Sequence, residues 1–344
     1  MKRKKVTIRD IAKIAHVSIS TVSRVSNGTG RISKETREEI FRIMKENNYQ
    51  PKSEISPSAN NPNNESGLYK QCIGIIVQSI TSEFLTSLAG SICENLEEDG
   101  YSPLLCDLNN HPEREPAKLN AFYSAGVSGV IIISSRNKHT VSIVRTDIPT
   151  IFIDQLIKSS YDVNIYSVCS DHLIGGKLAA EELIKKGCRR PLIFNNRDIL
   201  PKENERITGF IQQFQEHNLV IDEDLCINMF SHLSNAIEAK NLVTYIKTKG
   251  ISFDSIYATN DWRAYGAILA LRELDIRIPE DVCVIGYDGL YIAQNFDIPI
   301  TTVAQDIKAL SSQTCRMLKQ LIAHKPVSKH QIVIPTHLIQ GKTT

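Results

Sequence analysis

The sequence predicts a small all-α unit at the N-terminus joined to a large α/β core of parallel sheets covered by helices. Three observations predict it. Within the first fifty residues, apolar side chains fall at helical spacing in three short segments. From Cys72 onward, short β-rich runs alternate with helical stretches, the pattern of parallel sheets. The charge is also divided: residues 1–52 carry thirteen Lys/Arg against five Asp/Glu, while the remainder carries 27 against 33, so the formal total of +2 hides a basic end on an acidic body. That asymmetry fits a nucleic-acid-binding head on a core that does not bind nucleic acid, although a solvated charge run gives the same count.

In the head, Thr7 stands as N-cap of a first helix with Asp10 at its third position, where a carboxylate suits the helix dipole. Ile8, Ile11, Ala12 and Ala15 follow helical spacing. His16-Val17-Ser18 interrupts, and Ser18 caps a second short helix, Ile19 to Asn27, that buries Val22 and Val25 and ends at Gly28 and Gly30. Ser33 opens a third helix with Ile40, Ile43 and Met44 on one face, and Tyr49-Gln50-Pro51 closes the unit. Two short helices about a tight turn, with a third burying their apolar faces, make a helix-turn-helix. The second helix exposes Ile19, Ser20, Thr21, Ser23 and Arg24 beside its cap Ser18. Short hydroxylated side chains and an arginine let a helix lie deep in the major groove. Arg24 is the candidate for a bidentate guanine contact and Ile19 and Ser20 for other base edges; Thr7, Asn27 and Arg31 are placed for phosphates. Each is also an ordinary residue for a solvent-facing surface.

The runs Val6-Thr7-Ile8-x-Asp10-Ile11-Ala12, Ala15-x-Val17-Ser18-x-x-Thr21-Val22-Ser23-Arg24-Val25-x-Asn27, Ser33-x-x-Thr36-Arg37 and Tyr49-x-Pro51 closely resemble the headpiece of the lactose-repressor/galactose-repressor family. The resemblance implies a homodimer that sets two such helices in adjacent half-sites of a near-palindromic operator. His16 departs from it, since the family usually has Gly in the turn; a left-handed backbone there costs a non-Gly residue something, though His tolerates it better than most. A larger departure follows. Relatives usually continue with Asn-x-x-Ala-Arg-x-Leu, a hinge helix whose Leu wedges into the minor groove. Here Lys52-Ser53-Glu54-Ile55-Ser56-Pro57 opens a Ser-, Asn- and Pro-rich stretch, so residues 53–71 read as a flexible linker without that helix, with Ile55 the only apolar replacement for the wedge.

In the core, β-rich runs fall at Ile73–Val77, Pro103–Cys106, Val130–Ile133, Thr150–Ile153, Tyr166–Cys169, Leu192–Phe194, Ser255–Ala258 and Val282–Ile285. Pattern alone leaves a barrel and doubly wound sheets both open. The resemblance decides for the second. It continues through Gly129-Val130-Ile131-Ile132, Arg206-x-x-Gly209-Phe210, Asn260-Asp261-x-x-Ala264-x-Gly266-Ala267 and Ile278-Pro279-Glu280-Asp281-Val282-x-Val284-Ile285-Gly286-Tyr287-Asp288. It implies a periplasmic-binding-protein-like (type I) core of two Rossmann-like subdomains joined by three crossovers. The expected boundaries are 72–166 with 300–330 for one subdomain and 167–299 with 331–344 for the other. Ligands of open α/β sheets bind at the carboxyl ends of strands, where Asp154, Asn260 and Asp288 are expected. Carboxylates accept from hydroxyls, the Arg206 guanidinium grips vicinal oxygens, and Asn260 both donates and accepts, a set that fits a sugar-like polyol. Phe84 and the lone Trp262 are the aromatic candidates to cover its apolar face. Phe84 is alternatively core, and Asp261 reads as the cap of the following helix.

Other classes fit less well. The eight cysteines sit singly, none in a C-x-x-C or with His at zinc-ligand spacing, so neither a metal site nor a disulfide framework is expected. No phosphate-loop or dinucleotide fingerprint occurs, and no cofactor or catalytic residue is assigned. The basic N-terminus lacks an apolar stretch behind it, and no run approaches the eighteen apolar residues of a membrane span, so a cytoplasmic protein is expected. No leucine heptad follows Pro335, which argues against a coiled-coil tetramer. The reading is a regulator, a repressor of carbohydrate-utilisation genes, whose operator affinity answers to a sugar-like effector.

Overall fold

A computed structural model of the chain describes residues 7–26, 33, 36, 39–40, 42–44, 71–137, 140–154, 165–196, 204–229 and 235–344. The chain divides into two compact units, Met1–Ser66 and Gly67–Thr344.

In the first unit, α1 (Ile8–Ile14) starts with a capping box: Thr7 accepts from the Asp10 amide, and the Asp10 carboxylate accepts from the Thr7 amide at 2.9 Å. His16 takes the turn with φ +51°. The Ser18 hydroxyl then accepts from the Thr21 amide at 3.1 Å and starts α2 (Ile19–Ser26). Residues 36, 39–40 and 42–44 are helical behind Ser33, whose hydroxyl accepts from the Thr36 amide. Ile11, Val22, Val25, Ile40, Ile43 and Met44 close one small core. Of Ser23 and Arg24 only the helical backbone is described; Asn27, Arg31 and the expected linker through residue 70 lie outside the described residues.

In the second unit, the first half alternates β1 (Cys72–Val77), α3 (Glu83–Glu98), β2 (Ser102–Asp107), α4 (Glu115–Ala125), β3 (Gly129–Ile133), β4 (Thr150–Ile153) and β5 (Tyr166–Ser170). The chain then crosses through α5 (His172–Lys185) into β6 (Pro191–Asn196), α6 (Glu205–Glu216), β7 (Cys226–Met229), α7 (Asn235–Thr248), β8 (Ser255–Ala258), α8 (Asp261–Glu273), β9 (Cys283–Asp288), α9 (Tyr291–Asn295) and β10 (Thr301–Ala304). It returns through α10 (Ile307–Ile322) to β11 (Gln331–Ile334) and crosses a third time to β12 (His337–Ile339). The first sheet runs β11-β5-β4-β3-β1-β2, the second β12-β10-β9-β8-β6-β7, and every pairing is parallel except β10 with β12.

The burial pattern follows from the pleat. In β1, Ile73, Ile75 and Val77 enter the cluster that also holds Leu88 of α3 and Leu318 of α10, while Cys72 and Ile76 enter that of Leu119 and Tyr123 on α4. Both faces are covered, so the strand reads as a continuous apolar run. The expected subdomain boundaries need correction. β10 lies in the second sheet, while α10 packs on the first and β11 pairs within it, so the exchanges fall between β10 and α10 and between β11 and β12, not at residues 300 and 331. Likewise, all of β5 through Ser170 belongs to the first sheet.

Candidate functional site

Ile19 is 46% exposed at the start of α2, beside exposed Ser18 and Ser20, while Val22 and Val25 of the same helix are buried. An apolar side chain held in water at the leading end of such a helix is available for a groove. Ser18 and Thr7 spend their hydroxyls on caps, so any contact they make to a backbone phosphate is additional to that role.

In the core, polar residues gather where strands of the two sheets end. Ser134, Asp154 and Asp288 each follow or finish a strand with φ of +53°, +62° and +105°. Non-glycine residues held in this region cost free energy and cluster at functional sites. Asp154 accepts from the Ser134 hydroxyl and lies 3.4 Å from Nε2 of His172, the first residue of α5. Nδ1 of His172 is 3.1 Å from the Tyr287 hydroxyl. Arg206, in the first turn of α6, pairs with Asp288 at 3.0 Å, donates to the Thr259 carbonyl at 2.6 Å, and lies 4.0 Å over the Tyr287 ring. Gln305, just past β10, donates to Asp288 at 2.8 Å and accepts from Ser170 at 2.6 Å. Residues from both sheets thus form one connected polar set.

Its electrostatics are uneven. Burial works against the charge on Asp154, but His172, Arg206 and Ser134 more than offset it and hold the carboxyl below its ordinary value. At Asp288 burial wins, and the carboxyl sits above its ordinary value in spite of Arg206 and Gln305. Arg206 stays firmly protonated, its burial outweighed by Asp288 and Tyr287. Two carboxylates in one site are therefore differently poised to accept hydrogen bonds.

The structure brings together three of the expected residues, Asp154, Arg206 and Asp288. Phe84 is 5% exposed, in the apolar cluster with Leu88, Leu290 and Ile292, as its alternative core reading has it. The cap expected of Asp261 falls to Asn260, which accepts from the Arg263 amide at 2.9 Å and keeps its amide donors, while buried Asp261 accepts from Leu290 N and the Thr302 hydroxyl. Trp262 donates from Nε1 to Glu83 at the start of α3 and meets Tyr265 edge-on. His172, Tyr287 and Gln305 escaped the sequence reading. A polar residue directly after a strand, as at Gln305, was the available signal.

Comparisons with known proteins agree with this arrangement. The family described as bacterial regulatory proteins, lacI family, matches residues 7–52, and the periplasmic binding protein-like domain matches residues 180–344. The ribose operon repressor of Halalkalibacterium halodurans is 32% identical over 98% of this chain and 97% of its own. The crystal structure of the lac repressor dimer bound to operator and the anti-inducer ONPF is 24% identical, with a TM-score of 0.70 over 99% of both chains. A periplasmic binding protein/LacI transcriptional regulator from Alkaliphilus metalliredigens, complexed with D-xylulofuranose, is 27% identical, with a TM-score of 0.69 over 80% of this chain and 99% of that one. By the matched head and core and by the full-length relative, the chain belongs to the lacI family of bacterial regulatory proteins, DNA-binding transcription regulators with a ligand-binding core.

Proposed function

We propose that the chain is a cytoplasmic, homodimeric repressor of carbohydrate-utilisation genes, with operator affinity set by a sugar-like effector held among Asp154, His172, Arg206, Asp288, Asn260 and Trp262. One observation carries the reading: the Arg206–Asp288 pair and the Asp154–His172 pair meet at Tyr287, joining residues of both sheets. A polyol laid across such a set exchanges hydrogen bonds with each half and favours one relative placement of the two. The ribose repressor and the D-xylulofuranose complex among its relatives support a sugar. Arg24, Ile19, Ser20, Thr21 and Ser23 are the proposed readers of bases, with Thr7, Ser18, Asn27 and Arg31 on the backbone. Among the described residues no helix is long and apolar enough to cross a membrane.

The test is a thermal-shift screen of the full chain against pentoses, hexoses and disaccharides, repeated with Arg206→Ala. A ligand that binds only the folded state raises the midpoint. The reading expects at least one sugar to do so in the wild type and not in the variant. A sugar that stabilises both equally binds elsewhere and contradicts it.

A further inference from the structure

Arg263 is the second residue after Asp261 in α8 and only 2% exposed. Burying an arginine calls for a full set of acceptors, and this one is poorly served. Its Nη1 donates to the Thr259 hydroxyl at 3.1 Å, and its Nε is buried without a partner among the described residues. That hydroxyl is itself committed to the Phe194 carbonyl.

The charged groups around it are Glu238 on α7, Arg206 on α6, Asp288 at the end of β9 and Arg136 just past β3. Glu238 and Asp288 are the carboxylates that act on Arg263, and Asp288 is already held by Arg206 and Gln305. Arg263 also lies in the first turn of its helix, where the macrodipole disfavours a cation. Burial, Arg206 and Arg136 together outweigh Glu238 and Asp288 and lower its pKa to about 10. Arg206 and Arg263 meet at a single residue: one takes the Thr259 carbonyl, the other its hydroxyl. Two guanidiniums converging on one threonine, that of Arg263 buried with an idle donor and that of Arg206 partly exposed, are the donor half of an oxyanion site.

We propose that Arg263 and Arg206, around Thr259, form an anion-binding subsite of the cleft, and that the effector is a sugar bearing a carboxylate or phosphate. The inference rests on the cleft being the effector site. The oxyanion takes the idle Arg263 donor, and the hydroxyls take Asp154 and the Asn260 amide. A neutral sugar leaves the Arg263 donor unmet.

The experiment is isothermal titration of the full chain with ribose and ribose 5-phosphate, glucose and glucose 6-phosphate, glucuronate, and inorganic phosphate. The proposal expects one charged sugar to bind at least ten times more tightly than its neutral parent, the phosphate and uronate arms showing which oxyanion is preferred. Arg263→Met, or Arg263→Gln should the first fold poorly, removes that preference and leaves the neutral parent within about twofold. Equal binding of charged and neutral sugars by the wild type overturns the subsite, as does a preference that survives loss of Arg263. If neutral sugars bind and Arg206→Ala abolishes this, the cleft reading stands while the subsite falls. If sugars of both kinds bind and Arg206→Ala changes nothing, the cleft reading falls with it.

Discussion

Arg206 and Asp288 come from different elements, α6 and β9, yet meet at 3.0 Å with side chains only 17% and 8% exposed. Removing one partner strands the other charge where water reaches it poorly. Breaking a buried pair in this way costs about 3–5 kcal/mol, whereas replacing both partners by apolar groups costs far less. Arg206→Met and Asp288→Leu are therefore each expected to destabilise strongly, and the double variant to lose less than their sum. Urea unfolding of the four proteins in a double-mutant cycle measures this, and additivity within experimental error contradicts it.

The helices carrying His172 and Arg206 cross at glycines. A Cβ on Gly176 of α5 would lie 2.1 Å from the Arg206 carbonyl oxygen, and one on Gly209 of α6 would lie 1.9 Å from that of Leu173. The obstacle is backbone, so the helices must separate. Gly176→Ala and Gly209→Ala are expected to cost about 1–3 kcal/mol as overpacked contacts and to weaken sugar binding by displacing Arg206. Unfolding midpoints and titration of the same proteins check both effects; an unchanged dissociation constant rules out this coupling.

These contacts show what was legible in the sequence. Apolar runs such as Ile73–Val77 and Val282–Ile285 announced parallel strands because both of their faces are buried. The edge strands β7 and β11 went unseen, since much of their length is half-exposed and carries no such run. The sheet membership of β10 and β11 was misjudged for a related reason: pairing is a long-range property that local pattern does not contain. Within the site, acids and an arginine at strand and helix ends were readable. The burial of Phe84, the cap on Asn260 and the links of Tyr287 depend on what packs opposite them.

In the head, His16 holds φ +51° in the turn between α1 and α2. A left-handed backbone costs a side-chain-bearing residue roughly 1 kcal/mol that glycine does not incur. His16→Gly is expected to raise head stability by about 0.5–1 kcal/mol, less the entropy glycine loses on folding. Thermal unfolding followed by circular dichroism reads it, and a lower midpoint contradicts it.

Asp154 supplies a pH signature. His172, Arg206 and Ser134, outweighing burial, hold its folded-state pKa below the usual aspartate range. A carboxyl depressed on folding contributes stability that is complete above its unfolded pKa and is lost as pH falls through the folded one. The wild type is therefore expected to exceed Asp154→Asn in stability at neutral pH, the gap narrowing below about pH 4. Unfolding midpoints of both proteins between pH 3 and 7 test this; a constant gap contradicts it.

The uncompensated burial of Arg263 predicts a trade. Its pKa, pulled down to about 10 chiefly by burial, corresponds to about 3 kcal/mol against the charged folded form at neutral pH. Replacement by Met, of similar length and without charge, is expected to stabilise the ligand-free protein by about 1–3 kcal/mol. Because the folded state is the poorer proton binder, the gain is complete below the folded pKa and declines as pH rises through it toward the ordinary arginine range. A destabilised Arg263→Met at pH 7 shows that the residue is held by its surroundings better than this.

The central claim is that cleft and head are coupled. Fluorescence anisotropy of an operator duplex, recovered by selection from random sequence, measures it directly when titrated with full-length protein with and without a saturating sugar that the cleft binds. A coupling free energy of about 1–3 kcal/mol shifts operator affinity some 5- to 150-fold, and the operator must shift sugar affinity by the same factor. Identical operator affinities with the sugar bound and absent contradict the account.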